Sequence, residues 1–158
     1  MSECKIISGG IAGDDRGFVR FVNDFDPMTA GIRRFYQVEN HRAGFIRAWH
    51  GHVKEGKYVY VPRGAALIGA IKMNLEGMGL GECCPRAEYV LCEEIQKFVL
   101  TGSIPKVLYI PPGYANGFKT LTDDAILMFF STSTLEESKG DDIRFPYRLD
   151  NFWTEDYR

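Results

Sequence analysis

Short apolar segments alternate with polar positions and turn residues along nearly the whole chain. In the first half, segments rich in Val, Ile, Phe and Tyr cover residues 17–23, 32–38, 45–52, 57–63 and 65–72. In the second half, similar segments cover residues 88–91, 96–101, 106–110, 116–121 and 125–133. Short runs of this composition between turn signals are typical of β-strands. About ten strands in one chain predict an all-β jelly-roll barrel.

Helical periodicity is weak and is confined to residues 24–30 and 135–138, where we expect about one turn each. Residues 77–85 (GMGLGECCP) carry too many glycines for a strand, which predicts a loop. The C-terminal tail, about residues 141–158, is aromatic, and we expect it to pack on the barrel. A length of 158 residues with 45% hydrophobic content favours a single domain.

Charge and hydropathy narrow the range of partners. A net charge of −2 gives no reason to expect binding to nucleic acid or to a membrane surface. No apolar run approaches the roughly 20 residues that a membrane span needs. The first ten residues, MSECKIISGG, lack the apolar segment of a signal peptide, so the sequence predicts a cytoplasmic protein.

The four cysteines are Cys4, Cys83, Cys84 and Cys92. In a cytoplasmic protein such a set is expected to consist of reduced thiols. A zinc site formed by the last three is an alternative, but adjacent cysteines lack the usual gap of two to four residues between paired ligands.

The stretch from Gly44 to Gly64 has the spacing of a metal-binding barrel motif. In metal-binding cupin barrels the motif reads Gly, five residues, His-x-His, three or four residues, Glu, six residues, Gly. His50 and His52 fit this frame, but Lys57 stands where the glutamate is expected. Histidines at positions i and i+2 of a strand point to the same face, so both imidazoles can face a barrel interior.

Two of the four metal ligands of such a barrel are replaced in this chain. A lysine ammonium repels a divalent cation, which prefers imidazole and carboxylate ligands. The second motif of these barrels, Pro-x-Gly-x-x-His, corresponds to residues 111–116, where Asn116 replaces the histidine. We therefore expect no metal and no other cofactor, and a polar barrel lining that serves another purpose.

Three blocks of sequence resemble the sugar-nucleotide cupin family of dTDP-4-dehydrorhamnose 3,5-epimerase, and the resemblance covers nearly the whole chain. DDRGFVRF (residues 14–21) resembles the family's Asp-x-Arg-Gly-Phe strand. GFIRAWH (residues 44–50) is similar to Gly-Val-Leu-Arg-Gly-Leu-His, and IPPGYANGF (residues 110–118) to Ile-Pro-Pro-Gly-Phe-Ala-His-Gly-Phe. The resemblance implies a metal-independent isomerase that acts on a nucleotide-linked 4-keto sugar.

Proton abstraction beside a ketone needs a base and a positive group, because the carbanion is delocalised onto the carbonyl oxygen as an enolate. By resemblance His50 is the base, since a near-neutral imidazole accepts a proton at physiological pH. We expect Lys57 to stabilise the enolate oxygen from inside the barrel. The acid that orients His50 should come from a distant strand or from the tail, and the candidates are Asp150, Asp142 and Asp141.

Several side chains are expected to bind the substrate. By resemblance Arg16 contacts the diphosphate and Arg47 the substrate, because a guanidinium group binds phosphate oxygens in pairs. We also expect contacts from Asn40 and Asn116, and stacking of Trp49 on a base or a sugar.

The chain departs from the family at the tyrosine that reprotonates the sugar from the opposite face. Phe129 occupies this position, and a phenyl ring has no proton to donate. Either another tyrosine supplies the proton, or the enzyme is a 3-epimerase or a 3,4-ketoisomerase. Whether carbon 5 is also inverted stays open. The candidate acids are Tyr36, Tyr58, Tyr60, Tyr109 and Tyr114.

The leading hypothesis is therefore an epimerase of a nucleotide-linked 4-keto-6-deoxy sugar. A related 3,4-ketoisomerase is the first alternative, since Arg47, His50 and His52 match its Arg-x-x-His-x-His segment, and both histidines would then move protons between carbons 3 and 4. A metal-dependent cupin oxygenase and a non-catalytic sugar-binding cupin are further alternatives. The resemblance also implies a homodimer, and an unpaired strand edge gives a physical reason for it.

Overall fold

The computed structural model describes residues 3–74, 94–148 and 152–154. The predicted loop at residues 77–85, the predicted strand at 88–91, Cys83, Cys84, Cys92 and Asp150 lie outside these residues. Among the described residues no helix has the length and apolar character that a membrane span requires.

Two antiparallel five-stranded sheets form the barrel. In spatial order the first sheet contains β1 (Lys5–Ser8), β9 (Lys106–Ile110), β6 (Lys57–Arg63), β11 (Ile126–Ser131) and β4 (Arg34–Glu39). The second contains β12 (Ile143–Arg144), β5 (Ile46–His52), β10 (Tyr114–Thr120), β7 (Ala65–Lys72) and β8 (Gln96–Thr101). A separate hairpin is formed by β2 (Gly10–Asp14) and β3 (Gly17–Phe21). The predicted all-β jelly-roll fold is confirmed.

Side chains alternate across the first sheet and give its inner face three rows. Lys57 lies opposite Ser131, which in turn lies opposite Arg34, so one row is polar. The next row places Phe129 between Val59 and Tyr36, and Leu127 with Val38 belongs to the third. Because strand residues two apart share a face, this inner face changes from polar to apolar along the strands. The polar row marks the end of the barrel at which charged and hydroxyl side chains face the interior.

The apolar rows of both sheets pack into one core. Val59, Val61, Leu108 and Leu127 of the first sheet contact Ile68 and Phe118 of the second, and the rings of Phe118 and Phe129 lie 5.7 Å apart. Burying side chains of this size stabilises the fold by about 1.5–3 kcal/mol each.

A second cluster covers the outer face of the second sheet. Trp49, Ile71 and Phe145 pack there with Trp153, a tail residue. The short strand β12 also holds the start of the tail against β5, because Arg144 lies opposite His50 in the register.

The single helix of the described chain, α1 (Leu135–Lys139), coincides with the predicted helical turn at residues 135–138. Thr134 caps it, since its hydroxyl accepts from the amide of Glu137 while the Glu137 carboxylate accepts from the amide of Thr134. Residues 24–30 form turns rather than a regular helix. Helix α1 brings Ser138 to the polar end of the barrel.

Candidate active site

A cavity of about 260 Å³ lies between the two sheets at the polar end of the barrel. The first sheet lines it with Arg34, Tyr36, Val38, Lys57 and Phe129. The second sheet lines it with Arg47, His50, His52, Asn116 and Phe118. The chain that follows β11 closes one side with Ser138, Asp142 and Arg144.

His50 occupies the wall formed by the second sheet. Asn116 lies opposite it on β10 and donates from Nδ2 to the main-chain oxygen of His50 at 3.1 Å, which fixes the backbone of the histidine. Burial, followed by the positive charges of Arg144 and Lys57, lowers the pKa of His50 to about 4. The imidazole is therefore neutral at physiological pH and is able to accept a proton.

Asp142 and Arg144 stand beside the imidazole on the tail. The nearest carboxylate oxygen of Asp142 is 4.0 Å from His50 Nδ1, and Nη1 of Arg144 is 3.4 Å from Nε2. Arg144 also donates to the other oxygen of Asp142 at 2.6 and 2.7 Å. Arg144 holds one carboxylate oxygen of Asp142, and the other oxygen faces His50. Asp142 is therefore the candidate orienting acid that lies beside His50 in the described chain. The sequence pointed to Asp142, but Arg144 carried no sequence signal because only the β12–β5 pairing brings it there.

A buried polar network lies behind His52. Glu55 is fully buried, accepts from the Ser131 hydroxyl at 2.8 Å and pairs with Arg34 at 3.3 Å. Its other oxygen is 3.4 Å from His52 Nδ1, and neither of these two atoms has a hydrogen bond within the described chain. Burial and the charge of Lys57 lower the pKa of His52, whereas Glu55 opposes this shift. The sequence analysis missed both Glu55 and Arg34. Glu55 lies two residues before the motif position occupied by Lys57, and Arg34 belongs to no motif.

The Lys57 ammonium is buried at the start of β6, with only 6% of the residue exposed. No carboxylate of the described residues comes within ion-pair distance of it. Burial lowers its pKa to about 8, with Glu55 and Asp142 acting against the shift. An unpaired cation therefore faces the cavity, opposite the imidazole of His50. In the described part of the chain, no group of three or more His, Cys, Asp or Glu side chains is placed to hold a metal ion.

Arg47 and Asn40 form a pair at the rim. Nε of Arg47 donates to Oδ1 of Asn40 at 2.9 Å, and the Asn40 amide donates to Thr120 Oγ1 at 3.1 Å. Asn40 does not line the cavity, so it positions Arg47 rather than reaching into the site.

Besides Asn40, two further predicted substrate contacts, Trp49 and Arg16, do not line the cavity. Trp49 is completely buried in the outer cluster, where its ring lies 5.0 Å from that of Trp153. The prediction of stacking on a substrate is wrong, because neighbours on a strand face opposite sides and Trp49 immediately precedes His50. Arg16 is at the hairpin, where its side chain is 85% exposed and pairs with Asp14, so a single chain does not bring it to the cavity.

Comparison with known proteins assigns this chain to a family. The family model for dTDP-4-dehydrorhamnose 3,5-epimerase matches residues 1–148. The spore coat polysaccharide biosynthesis protein SpsL of Bacillus subtilis (strain 168) is 24% identical over 138 residues, which are 85% of this chain and 82% of SpsL.

Solved structures share the fold at low sequence identity. The dTDP-4-dehydrorhamnose 3,5-epimerase of Bacillus anthracis, with TDP and PPi bound, superposes with a TM-score of 0.71 at 18% identity, covering 97% of this chain and 83% of that one. The 3'-monoepimerase ChmJ of Streptomyces bikiniensis, in complex with dTDP-quinovose, has a TM-score of 0.71 at 18% identity, covering 96% and 73%. The 3,4-ketoisomerase QdtA of Thermoanaerobacterium thermosaccharolyticum, a double mutant in complex with TDP, has a TM-score of 0.65 at 18% identity, covering 92% and 89%.

The match over residues 1–148 and the cavity between the sheets agree with the resemblance seen in the sequence. This chain belongs to the dTDP-4-dehydrorhamnose 3,5-epimerase family of enzymes.

Proposed function

We propose that the protein is an isomerase that inverts carbon 3 of a dTDP-linked 4-keto-6-deoxy sugar. The observation that carries this proposal is a neutral imidazole, His50, facing a buried ammonium, Lys57, across one cavity. Family membership supplies the substrate class.

In the proposed reaction His50 removes the hydrogen from carbon 3. The electron pair of the broken C–H bond forms a carbon–carbon double bond, and the carbonyl oxygen at carbon 4 becomes an enolate. Lys57 stabilises this negative charge, and because its ammonium is buried the interaction is stronger than it would be in water. Asp142 stabilises the imidazolium that results, and Arg144 keeps Asp142 in place. Placing the base in this way contributes about 10²- to 10⁴-fold to the rate.

The sugar, and not the nucleotide, is proposed to enter the cavity. A volume of about 260 Å³ is below the roughly 300–1,000 Å³ of pockets that enclose whole drug-sized ligands. The diphosphate would then lie at the rim, where Arg47 is held by Asn40. The dTDP carrier is supported by the TDP and dTDP-quinovose complexes of the structural neighbours. By analogy with SpsL, the product would serve polysaccharide synthesis.

A 3,4-ketoisomerase is the second candidate, and His52 is the observation that favours it. His52 also lines the cavity, next but one to His50 on the same strand. Two imidazoles on one face would move the proton of carbon 3 to carbon 4, and the hydroxyl proton on carbon 3 would pass to the oxygen of carbon 4, without an acid on the opposite wall.

Deuterium exchange tests both candidates. The protein is incubated with a dTDP-4-keto-6-deoxyhexose in D₂O and the products are analysed by NMR. We expect inversion and deuterium at carbon 3, whereas a ketone moved to carbon 3 would support the second candidate. His50→Asn should slow exchange by about 10²- to 10⁴-fold, while His41→Asn, an exposed histidine outside the cavity, should exchange like the wild type. Absence of deuterium from carbons 3 and 5, together with a ketone that stays at carbon 4, would contradict both.

The functional unit is proposed to be a cytoplasmic homodimer. The hairpin of β2 and β3 pairs only with itself in the described chain, and it exposes Ile11, Phe18 and Val19. A second copy of the chain would cover these side chains and would bring Arg16 near a cavity. The described cysteine, Cys4, is a free thiol, which suits a reducing compartment.

A further inference from the structure

The cavity wall opposite His50 contains a tyrosine with no role so far. Tyr36 lies on β4 of the first sheet, whereas His50 lies on β5 of the second, and both side chains line the cavity. Within the described chain the Tyr36 hydroxyl makes no hydrogen bond, yet it is not sealed off as a buried unpartnered atom. The hydroxyl is therefore open to the cavity and able to donate.

The other four tyrosines that the sequence suggested as acids do not line the cavity. Tyr58 and Tyr109 stack on each other at 4.6 Å, and Phe25 packs on Tyr58. Tyr60 lines a separate depression with Phe25. Tyr114 is buried in the apolar core and does not line the cavity. Among the described tyrosines, Tyr36 is the one that lines the cavity.

The ring of Tyr36 is held in one orientation by its neighbours. Tyr36 lies directly opposite Phe129 in the β4–β11 register, and the two rings stack with centroids 5.1 Å apart and planes 6° apart. The Arg34 guanidinium lies 4.9 Å from the ring centroid on the same strand. Phe129 thus has a structural role, in that it supports the tyrosine of the neighbouring strand.

We infer that Tyr36 is the acid that protonates the enolate from the face opposite His50, an assignment that rests on the proposed function. His50 takes the hydrogen of carbon 3 as a proton, and the electron pair moves to the carbonyl oxygen. The pair then returns to form a new C–H bond at carbon 3 with the Tyr36 proton, and the carbonyl is restored. The imidazolium gives its proton to water and the tyrosinate takes one from water, so both groups return to their starting states.

The electrostatic setting agrees with this role. Burial, followed by the charge of Glu55, raises the pKa of Tyr36 to about 12, so the hydroxyl carries its proton at neutral pH. Arg34 acts in the opposite direction and stabilises the tyrosinate formed during turnover.

Tyr36→Phe separates proton removal from inversion. In D₂O the variant should lose inversion at carbon 3 by about 10²-fold or more, yet it should still place deuterium at carbon 3 with the configuration retained, because His50 acts on one face alone. Tyr109→Phe, which removes a hydroxyl outside the cavity, should invert carbon 3 at the wild-type rate. The double variant Tyr36→Phe/Phe129→Tyr should recover part of the inversion, since it returns a hydroxyl to the adjoining ring.

Inversion by Tyr36→Phe at the wild-type rate would overturn the assignment of Tyr36 and leave the proposed function intact. Loss of both exchange and inversion in a variant whose circular dichroism is unchanged would also overturn it, because Tyr36 would then be needed for binding or for proton removal. A wild-type protein that gives no label at carbon 3 would overturn the proposed function itself.

Discussion

Lys57 should set the alkaline limit of catalysis, because only its charged form stabilises an enolate. Its pKa is lowered to about 8, so we expect kcat/KM to fall as the pH rises through about 8. Lys57→Arg should abolish this decline in whatever activity is left, since arginine stays protonated at these pH values. Lys57→Met should lose about 10²- to 10³-fold in kcat. Initial rates between pH 6 and 10 measure these effects, and an unchanged alkaline limb in Lys57→Arg would contradict the role.

The buried charge of Lys57 should lower the free energy of unfolding at neutral pH. The pKa of Lys57 is about 8 in the native chain, against an ordinary value of 10.5. Between these values the unfolded chain binds the proton more strongly, so stability rises as the pH increases from about 8 to 10.5. At pH 7 the charged form costs the native state about 3 kcal/mol. Lys57→Met should therefore unfold at higher urea concentration than the wild type at pH 7, with the difference shrinking by pH 10. A less stable variant at pH 7 would contradict this.

The positions of cavity-lining side chains were predictable where a motif fixes the spacing. His50 and Lys57 line the cavity as the motif frame predicts, because alternation along a strand determines which positions face inward. Their catalytic roles stay predictions. The charged neighbours of these residues were not predictable. Glu55 lies behind His52 on the connection between β5 and β6, and Arg34 and Arg144 reach the cavity through sheet pairing. Trp49 was wrong for a simpler reason, as alternation along β5 already assigns it to the face opposite that of His50.

At the scale of elements, Asp141 holds the connection between β5 and β6. Its carboxylate accepts from the amides of Val53, Lys54 and Glu55 at 2.9, 2.8 and 3.0 Å. It thereby ties the tail to the loop that carries Glu55.

Asp141→Ala should destabilise the protein by about 1–3 kcal/mol, since three amides lose a charged acceptor and that of Glu55 is partly buried. Asp141→Asn should cost less. Asp123 accepts from one exposed amide, that of Ala43, so Asp123→Ala is a matched control with a cost below about 1 kcal/mol. Urea titrations followed by circular dichroism give the differences, and equal costs for the two alanine variants would contradict the role of Asp141 in holding this connection.

Strands with a strong apolar pattern were predictable to the residue. Residues 57–63, 65–72, 96–101 and 106–110 form β6, β7, β8 and β9 with the expected bounds. The strands β1, β2 and β12 were missed. β1 and β12 have four and two residues, too few to show periodicity, and pair with strands distant in the sequence. β2 contains two glycines, which are rare in strands.

At the scale of the whole molecule, the hairpin of β2 and β3 should control assembly. Phe18 and Val19 are 71% and 65% exposed in one chain, a poor arrangement for large apolar side chains unless a second copy covers them. We expect a dimer by light scattering at micromolar concentration, and a monomer for Phe18→Ser/Val19→Ser. Met28 is also exposed but lies outside the hairpin, so Met28→Ser should stay dimeric. A monomeric wild type would contradict the proposal.

Mixing inactive variants tests whether Arg16 serves the site of the other subunit. Arg16→Ala retains His50, and His50→Asn retains Arg16. If Arg16 acts across the dimer, equal mixing after subunit exchange should restore about a quarter of the wild-type activity, since half of the dimers then hold one intact site. No recovery in mixed dimers would show that Arg16 does not act across the interface.

Trp49 and Trp153 are the two tryptophans of the chain, and they share the cluster on the outer face of the second sheet. Intrinsic fluorescence therefore originates behind the strand that carries His50 and away from the cavity. Emission should shift to longer wavelength when the tail detaches and should respond little to a sugar bound between the sheets. The molecule thus carries its own optical probe of tail docking, independent of the chemistry on the other side of β5.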